Sequence, residues 1–226
     1  MNDPIAPPGE YKFDSAAPPC NVEYLVEPLL SICRRYQARK IFDVGCGNGA
    51  IVQFLERNGF TVAGCDPSES GIEHARATVP NGNFFVHGVY DDPHLLKAGQ
   101  FDLVISTEVV EHLFNPRFLP RFGAALLRPG GYLVVSTPYH GFAKNLALSI
   151  FDKWDFHHTP LWDGGHIKFW SRRTLTELLE TEGFKVCEFV GAGRWPFFWK
   201  SMIIVARLRG GTSEVNGGAT PLERRT

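Results

Sequence analysis

The sequence predicts an α/β fold: a doubly wound, mostly parallel sheet with helices on both faces and an antiparallel strand at the C-terminal end. Three observations carry that prediction. Short apolar runs alternate with helical patterns up to about Pro138, the order of a parallel sheet covered on both faces. A glycine-rich turn, Gly45-Cys46-Gly47-Asn48-Gly49, joins the first of those runs to a helical pattern. Two later apolar segments, residues 184–191 and 201–208, read as an antiparallel pair of strands.

The elements follow in order. Residues 1–19 are rich in proline and small polar residues without a period, and read as a flexible arm. Val22, Leu25, Leu29, Ile32 and Cys33 have helical spacing, so residues 21–36 form a helix. The first strand runs through Ile41 and Asp43, and Ile51, Val52, Phe54 and Leu55 mark the helix after the glycine turn. A second strand, 61–65, ends in Asp66. A third covers 84–87, a fourth 101–106, and a fifth follows the turn at Pro129-Gly130-Gly131. Residues 139–171 break the alternation. They hold His140, His157, His158 and His166 among Trp154, Phe156, Trp162, Phe169 and Trp170, and read as an inserted helix over 142–151, then a loop lying across the site. Ser171 is the N-cap of a helix over 171–182, with Leu175, Leu178 and Leu179 on its apolar face and Gly183 as its stop. Residues 209–226 are Gly-rich and polar, the composition of a disordered tail. The expectation is one domain over 20–208, with 139–171 as its lid.

Composition narrows the function classes. The 226 residues are enough for one full core, and 44% hydrophobic with 21% charged residues fits a soluble globular chain. The net charge of −1 counts against long nucleic acid as a partner. No stretch approaches the roughly 20 apolar residues of a spanning helix, and no signal-peptide pattern opens the chain. Cys20, Cys33, Cys46, Cys65 and Cys187 are odd in number and lack paired metal spacing. They read as reduced thiols of a cytoplasmic protein.

The glycine turn is the first candidate site. Glycines there let the backbone take positive φ and let a ligand approach the main chain. A dinucleotide loop reads Gly-x-Gly-x-x-Gly and holds a pyrophosphate. Here the spacing is Gly-x-Gly-x-Gly, and Asp43 precedes it by two residues. An acid at that mouth suits a cationic ligand better than a diphosphate. Asp66, at the end of the second strand, is placed to accept hydrogen bonds from two ribose hydroxyls.

Together Asp43, Gly45, Gly47 and Asp66 resemble the class I S-adenosylmethionine-dependent methyltransferases. Phe101-Asp102-Leu103-Val104-Ile105-Ser106 is similar to that family's fourth strand, and Leu127-Arg128-Pro129-Gly130-Gly131-Tyr132-Leu133-Val134-Val135 to its turn into the fifth. The resemblance covers residues 20–208. It implies the seven-stranded Rossmann-like form of the sheet, S-adenosylmethionine as cofactor, and methyltransferase activity. It also implies a cofactor site of Asp43, Gly45, Cys46, Gly47, Asp66, Pro67, Val89, Tyr90 and Thr107. The chain departs from the family at Gly88-Val89-Tyr90-Asp91, where the acid that binds the adenine amine in many members is displaced to Asp91.

A second constellation follows the fourth strand, at Thr107-Glu108-Val109-Val110-Glu111-His112-Leu113. A helix starting near Glu108 puts Glu108, Glu111 and His112 at i, i+3 and i+4 on one face. Two carboxylates and an imidazole suit a divalent cation (Mg, Mn or Zn), with His166 of Gly164-Gly165-His166 as a further ligand. The segment resembles two branches of the superfamily. The ubiquinone-biosynthesis O-methyltransferases carry a similar Glu-x-x-Glu-His. In the small-RNA 3′-terminal 2′-O-methyltransferases that segment plus a distant histidine holds a metal against vicinal hydroxyls. The metal-free alternative is that Glu111 and His112 orient loops or cap a helix.

Methyl transfer from a sulfonium needs in-line alignment and exclusion of water, and an oxygen nucleophile must also lose its proton. A divalent ion achieves this by lowering the hydroxyl pKa, or a histidine acts as base. The catalytic candidates are Glu111, His112, His140 and His166, with His157 as a further possible base. The acceptor expected is a hydroxyl on a small aromatic or apolar molecule. Residues 193–200 add aromatic surface, and Lys144, Lys168, Arg172 and Arg194 offer charge to an acidic substituent. Two other readings stay open: a terminal-nucleotide 2′-O-methyltransferase of RNA, and a cofactor-binding module without turnover. A nicotinamide oxidoreductase would need the missing Gly-x-x-Gly ending.

Overall fold

Seven strands make one sheet. They are β1 (Lys40–Val44), β2 (Thr61–Asp66), β3 (Asn83–Val86), β4 (Phe101–Thr107), β5 (Leu127–Pro138), β6 (Phe184–Ala192) and β7 (Ser201–Leu208). Their order is β3-β2-β1-β4-β5-β7-β6, in a computed structural model that describes residue 13 and residues 22–158, 160–161 and 165–209. The first five strands pair in parallel, and β7 runs antiparallel between β5 and β6. Helices α1 (Val22–Arg35), α2 (Ala50–Arg57), α3 (Glu69–Thr78), α4 (Phe118–Leu126), α5 (Phe142–Ile150), α6 (Trp154–His158) and α7 (Arg172–Thr181) surround it. This is the doubly wound α/β sheet that the alternation predicts. The expected arm (1–19) and tail (209–226) lie outside the described residues except for Phe13 and Arg209, as do Cys20, Trp162, Asp163 and Gly164.

The strands are apolar on both faces because both faces are covered. On one face Phe42, Val104, Leu133 and Val135 pack with Leu119, Phe122, Leu175 and Leu179 of α4 and α7. On the other, Ile41, Leu103, Ile105 and Val134 pack with Leu25, Leu29, Val52, Leu55 and Ile72 of α1, α2 and α3. Successive residues such as Ile41 and Phe42 therefore serve opposite layers, as the two-residue period of a strand requires. The chain reverses its winding between β1 and β4, which lie side by side. Ligands of such sheets bind beyond the carboxyl ends of the strands at that switch point. The glycine turn after β1 and the segment after β4 meet there.

Local signals set the helix ends. The Ser171 hydroxyl accepts from Thr174 N, and the Thr174 hydroxyl accepts from Ser171 N, a reciprocal cap at the start of α7. Ser68 caps α3 by accepting from Gly71 N. Gly183 takes φ +89° after α7 and turns the chain into β6.

Two expectations are overturned. Trp154–His158 forms helix α6 where the sequence predicts a loop, its Trp154 ring stacked on His158. No α-helix starts near Glu108; only a 3₁₀ turn over Val110–His112 forms. Glu108 itself has φ +55°. Its N–H donates to the Ser136 carbonyl and hydroxyl, and its carboxylate accepts from Ser136 Oγ at 2.7 Å and Ser201 Oγ at 3.1 Å. These bonds to β5 and β7 draw the residue out of helical geometry, so the i, i+3, i+4 face does not exist.

Candidate active site

The glycine turn is built by close approach. Gly45 has φ +81°, and a Cβ there would lie 2.4 Å from Val109 Cγ2, so the turn after β1 packs directly on the segment after β4. Gly47 has φ +52°, and a Cβ there would meet the Phe13 ring at 2.6 Å. Phe13 is fixed over the turn by Ser70 Oγ on its N–H and by His74 Nε2 against its carbonyl.

Two acids flank the turn. Asp43 is fully buried, and its Oδ1 has no hydrogen-bond partner. Burial, and then the charge of Asp66, push its carboxyl up to about 8. A buried carboxyl in this condition holds a proton at neutral pH and ionises against a cation. Asp66 accepts from Gly47 N and Ser68 N, both at 2.9 Å, which ties the turn to the end of β2.

The remaining cofactor candidates fall around this pair. Cys46 is buried against Gly64, and burial followed by the charges of Asp43 and Asp66 raises its thiol well above the usual value, so it packs rather than reacts. Thr107 ends β4 and is buried; Val89 is buried, and Pro67 is exposed. Tyr90 is about half exposed, its hydroxyl accepts from Asn115 N at 3.2 Å, and its ring meets Phe118 edge-on. The displaced acid Asp91 accepts from Gly88 N at 2.7 Å and so closes its own turn.

The second constellation assembles from two distant segments. Ile167 N and Lys168 N both donate to the Glu111 carbonyl at 3.0 Å, and His112 Nδ1 lies 3.2 Å from the Gly165 carbonyl. A carbonyl only accepts, so His112 donates from Nδ1, which leaves Nε2 as the nitrogen turned to other partners. Trp170 Nε1 donates to the Val110 carbonyl at 3.4 Å and pins the same strap. His166 Nε2 thereby comes 3.9 Å from Glu111 Oε1, with its ring 4.9 Å from that of His112.

Glu111, His112 and His166 each offer one ligand atom, and these atoms lie within 4.8 Å of one another. Glu111 is buried, and its carboxylate oxygens make no hydrogen bond of normal geometry, the nearby Thr137 hydroxyl offering only a weak favourable interaction. Burial, then the neighbouring Glu108, raise its carboxyl far above the usual range. His166 is lowered to about 4 by burial and by His112 and His158, so its ring is neutral at pH 7. Glu108 stands outside this trio, its oxygens held by the two serines, and burial raises it to about 7. His140 also stands apart. It is buried with its ring 5.5 Å from His158, 5.6 Å from His157 and 5.2 Å from Phe169.

The sequence profile of the methyltransferase-domain family matches residues 22–188. The chain belongs to that family. This methyltransferase is 26% identical over 187 residues to the ubiquinone biosynthesis O-methyltransferase of Coxiella burnetii (strain RSA 493 / Nine Mile phase I), covering 82% of this chain and 78% of the relative. It is 33% identical over 141 residues to the protein of the same name from Caulobacter sp. (strain K31), covering 58% and 56% of the two chains. Among solved structures, magnesium protoporphyrin IX methyltransferase from Synechocystis PCC 6803 with bound SAH superposes with a TM-score of 0.62 at 18% identity, over 81% of this chain and 82% of that one. The fold and the activity class expected from the glycine turn are therefore those of this chain: it is an S-adenosylmethionine-dependent methyltransferase. No helix among the described residues is long and apolar enough to cross a membrane.

Sequence reasoning brought Glu111, His112 and His166 together but missed their supports. Ser136 and Ser201, which hold Glu108, lie on strands whose inward positions otherwise read as plain core. Phe13 sits in a stretch with no period, so nothing in the pattern marks it. Lys144 is buried on α5, where a lysine in a lid helix reads as solvated.

Proposed function

We propose that this methyltransferase transfers the sulfonium methyl group of S-adenosylmethionine to a hydroxyl of a small aromatic acceptor, beside a divalent cation held by Glu111, His112 and His166. The observation that supports this most is the buried, unpartnered Glu111 carboxylate converging with two imidazole nitrogens. Carboxylate and imidazole are the donor set of Mg, Mn and Zn sites, and an unpaired buried acid is costly without a cation. A cation bound there would act as a Lewis acid that lowers the pKa of the acceptor hydroxyl.

The chain's own residues do the rest. Asp43 offers a buried carboxylate to the positive end of the cofactor, Asp66 lies where the ribose hydroxyls reach, and Pro67, Val89 and Tyr90 border the base. Gly45 and Gly47 let the ligand lie on the backbone. The strap at 165–168 orients His166, and the His112–Gly165 hydrogen bond fixes the His112 tautomer. Trp154 stacks on His158, and Phe169 meets His158 edge-on, an aromatic cluster that can help to keep water from the in-line displacement.

The metal-free reading makes a histidine the base. The environments argue against two of the candidate bases. His140 is lowered to about 3 and His157 to about 4, chiefly by burial, and so weak a base takes little of a phenolic proton. The names of the curated relatives favour an oxygen acceptor. The terminal-nucleotide RNA reading has the −1 net charge against it.

Two titrations test the proposal. S-adenosylmethionine should bind in calorimetry and NAD should not. A catechol should then be methylated in the presence of Mg²⁺, Mn²⁺ or Zn²⁺, with the rate lost in a chelator and restored by the metal. Turnover that ignores the chelator would remove the metal while leaving the methyltransferase.

A further inference from the structure

Helix α5 is turned inside out. Phe142 on it is 82% exposed and Ile150 67% exposed, while the helix's one buried residue is Lys144, at 7%. A helix that served only to cover the sheet would point its phenylalanine inward and its lysine to water. Lys144 instead reaches under the lid toward the end of β7, where its ammonium makes one long hydrogen bond, 3.5 Å to the Lys200 carbonyl.

An ammonium has three donors, and burying it without a counter-ion is costly. The acid nearest in effect is Glu108, but both Glu108 oxygens are taken by Ser136 and Ser201, and no ion pair with Lys144 forms among the described residues. The other charge that Lys144 feels is the cation Arg194. His158 Nδ1, whose ring feels the Lys144 charge, is also buried without a partner. The surroundings of the Lys144 ammonium are therefore positive and underbonded, and a chain of imidazole contacts links them to His166. His140 stacks on His158, His157 meets His158 edge-on, and the field of His158 reaches His166.

We infer that Lys144, with Arg194 at the rim, receives a carboxylate carried by the acceptor. This rests on the proposed function, and it narrows the acceptor from an aromatic hydroxyl compound to a hydroxylated aromatic acid. One buried ammonium among neutral imidazoles balances a single negative charge. A carboxylate also brings lone pairs for the unused ammonium protons and for an Arg194 guanidinium, the charge-assisted geometry these side chains favour.

The test compares 3,4-dihydroxybenzoate with its neutral counterpart 3,4-dihydroxytoluene on the full chain with S-adenosylmethionine. The ratio of kcat/KM should favour the acid by at least about tenfold, the scale of one charge-assisted hydrogen bond, and fall toward one in Lys144→Met. Lys144→Arg should restore part of the preference. Benzoate titrated into the protein with S-adenosylhomocysteine should bind, and binding should weaken in Lys144→Met; this reads the carboxylate site even if neither catechol is methylated, an outcome that would sink the proposed acceptor instead. Equal use of both acceptors by the unmodified protein overturns the inference. So does a Lys144→Met variant that keeps benzoate affinity but loses S-adenosylhomocysteine, because the ammonium would then belong to the cofactor.

Discussion

The His166 imidazole stands 3.9 Å from the Glu111 carboxylate, although α4, β5, α5 and α6 separate them in the chain. The contact is made by the backbone: two N–H groups of the strap close on the Glu111 carbonyl, and the side chains follow. The Glu111 acid is thus fixed in place before any ligand arrives.

Glu111→Gln separates catalysis from folding. The raised Glu111 carboxyl is protonated in the unliganded protein, so an amide of the same shape keeps the fold, and the melting temperature should hold or rise. Methyl transfer should fall by about 10²-fold or more, the usual contribution of proton removal. S-adenosylmethionine affinity should not change. Thermal melting, calorimetry and initial rates give the three readouts. Full activity in the variant would remove Glu111 from the mechanism.

Gly45→Ala should break both the turn and the cofactor site. Its positive φ disfavours any side chain, and the new methyl meets Val109 at 2.4 Å. Left-handed strain of about 1–2 kcal/mol adds to overpacking of about 1–3 kcal/mol. Urea unfolding should show a loss in that range, and Val109→Ala in the same chain should recover the overpacking part but not the strain. A double variant no better than the single would mean that the turn relaxes elsewhere.

What could be read from the sequence follows from where its signals are local. Ser171 and Thr174 cap each other within one turn, so α7 was legible. Asp43 and Asp66 lie at the carboxyl ends of adjacent parallel strands, so their proximity was too. His166 was legible through Gly165, whose carbonyl meets His112. Glu108 was not, because its conformation is set by Ser136 and Ser201, which only the sheet order brings near. The burial of Lys144 was not legible for a related reason: the period of α5 marks an apolar face but does not say which way that face points.

Glu182 offers a stability test away from the site. Burial raises its carboxyl, but the hydrogen bonds from Arg121 and Arg117 outweigh this and leave it below the usual value. A depressed folded-state pKa gives stability that is present above the unfolded pKa and fades as pH falls through the folded one. The two arginines are exposed, so Glu182→Gln should cost only about 0.5–1 kcal/mol at pH 7. Chemical unfolding at neutral and acid pH should show the cost vanish in acid. A pH-independent cost would point to packing rather than charge.

Asp43 reverses that sign. Its folded-state carboxyl is raised to about 8 from an ordinary unfolded value, so between those limits the folded protein binds the extra proton. The unliganded protein should therefore lose stability as pH rises from the usual carboxylate range through 8, and Asp43→Asn should flatten that slope. A cationic cofactor held at Asp43, as proposed, would act in the opposite direction, because it favours the ionised form. S-adenosylmethionine binding should release a proton at pH 7 and tighten with rising pH up to about 8, whereas Asp43→Asn should bind weakly at every pH. Calorimetry in buffers of different ionisation enthalpy measures the proton directly. Binding without proton release, at unchanged affinity from pH 6 to 8, would mean that Asp43 is already ionised and paired in the free protein.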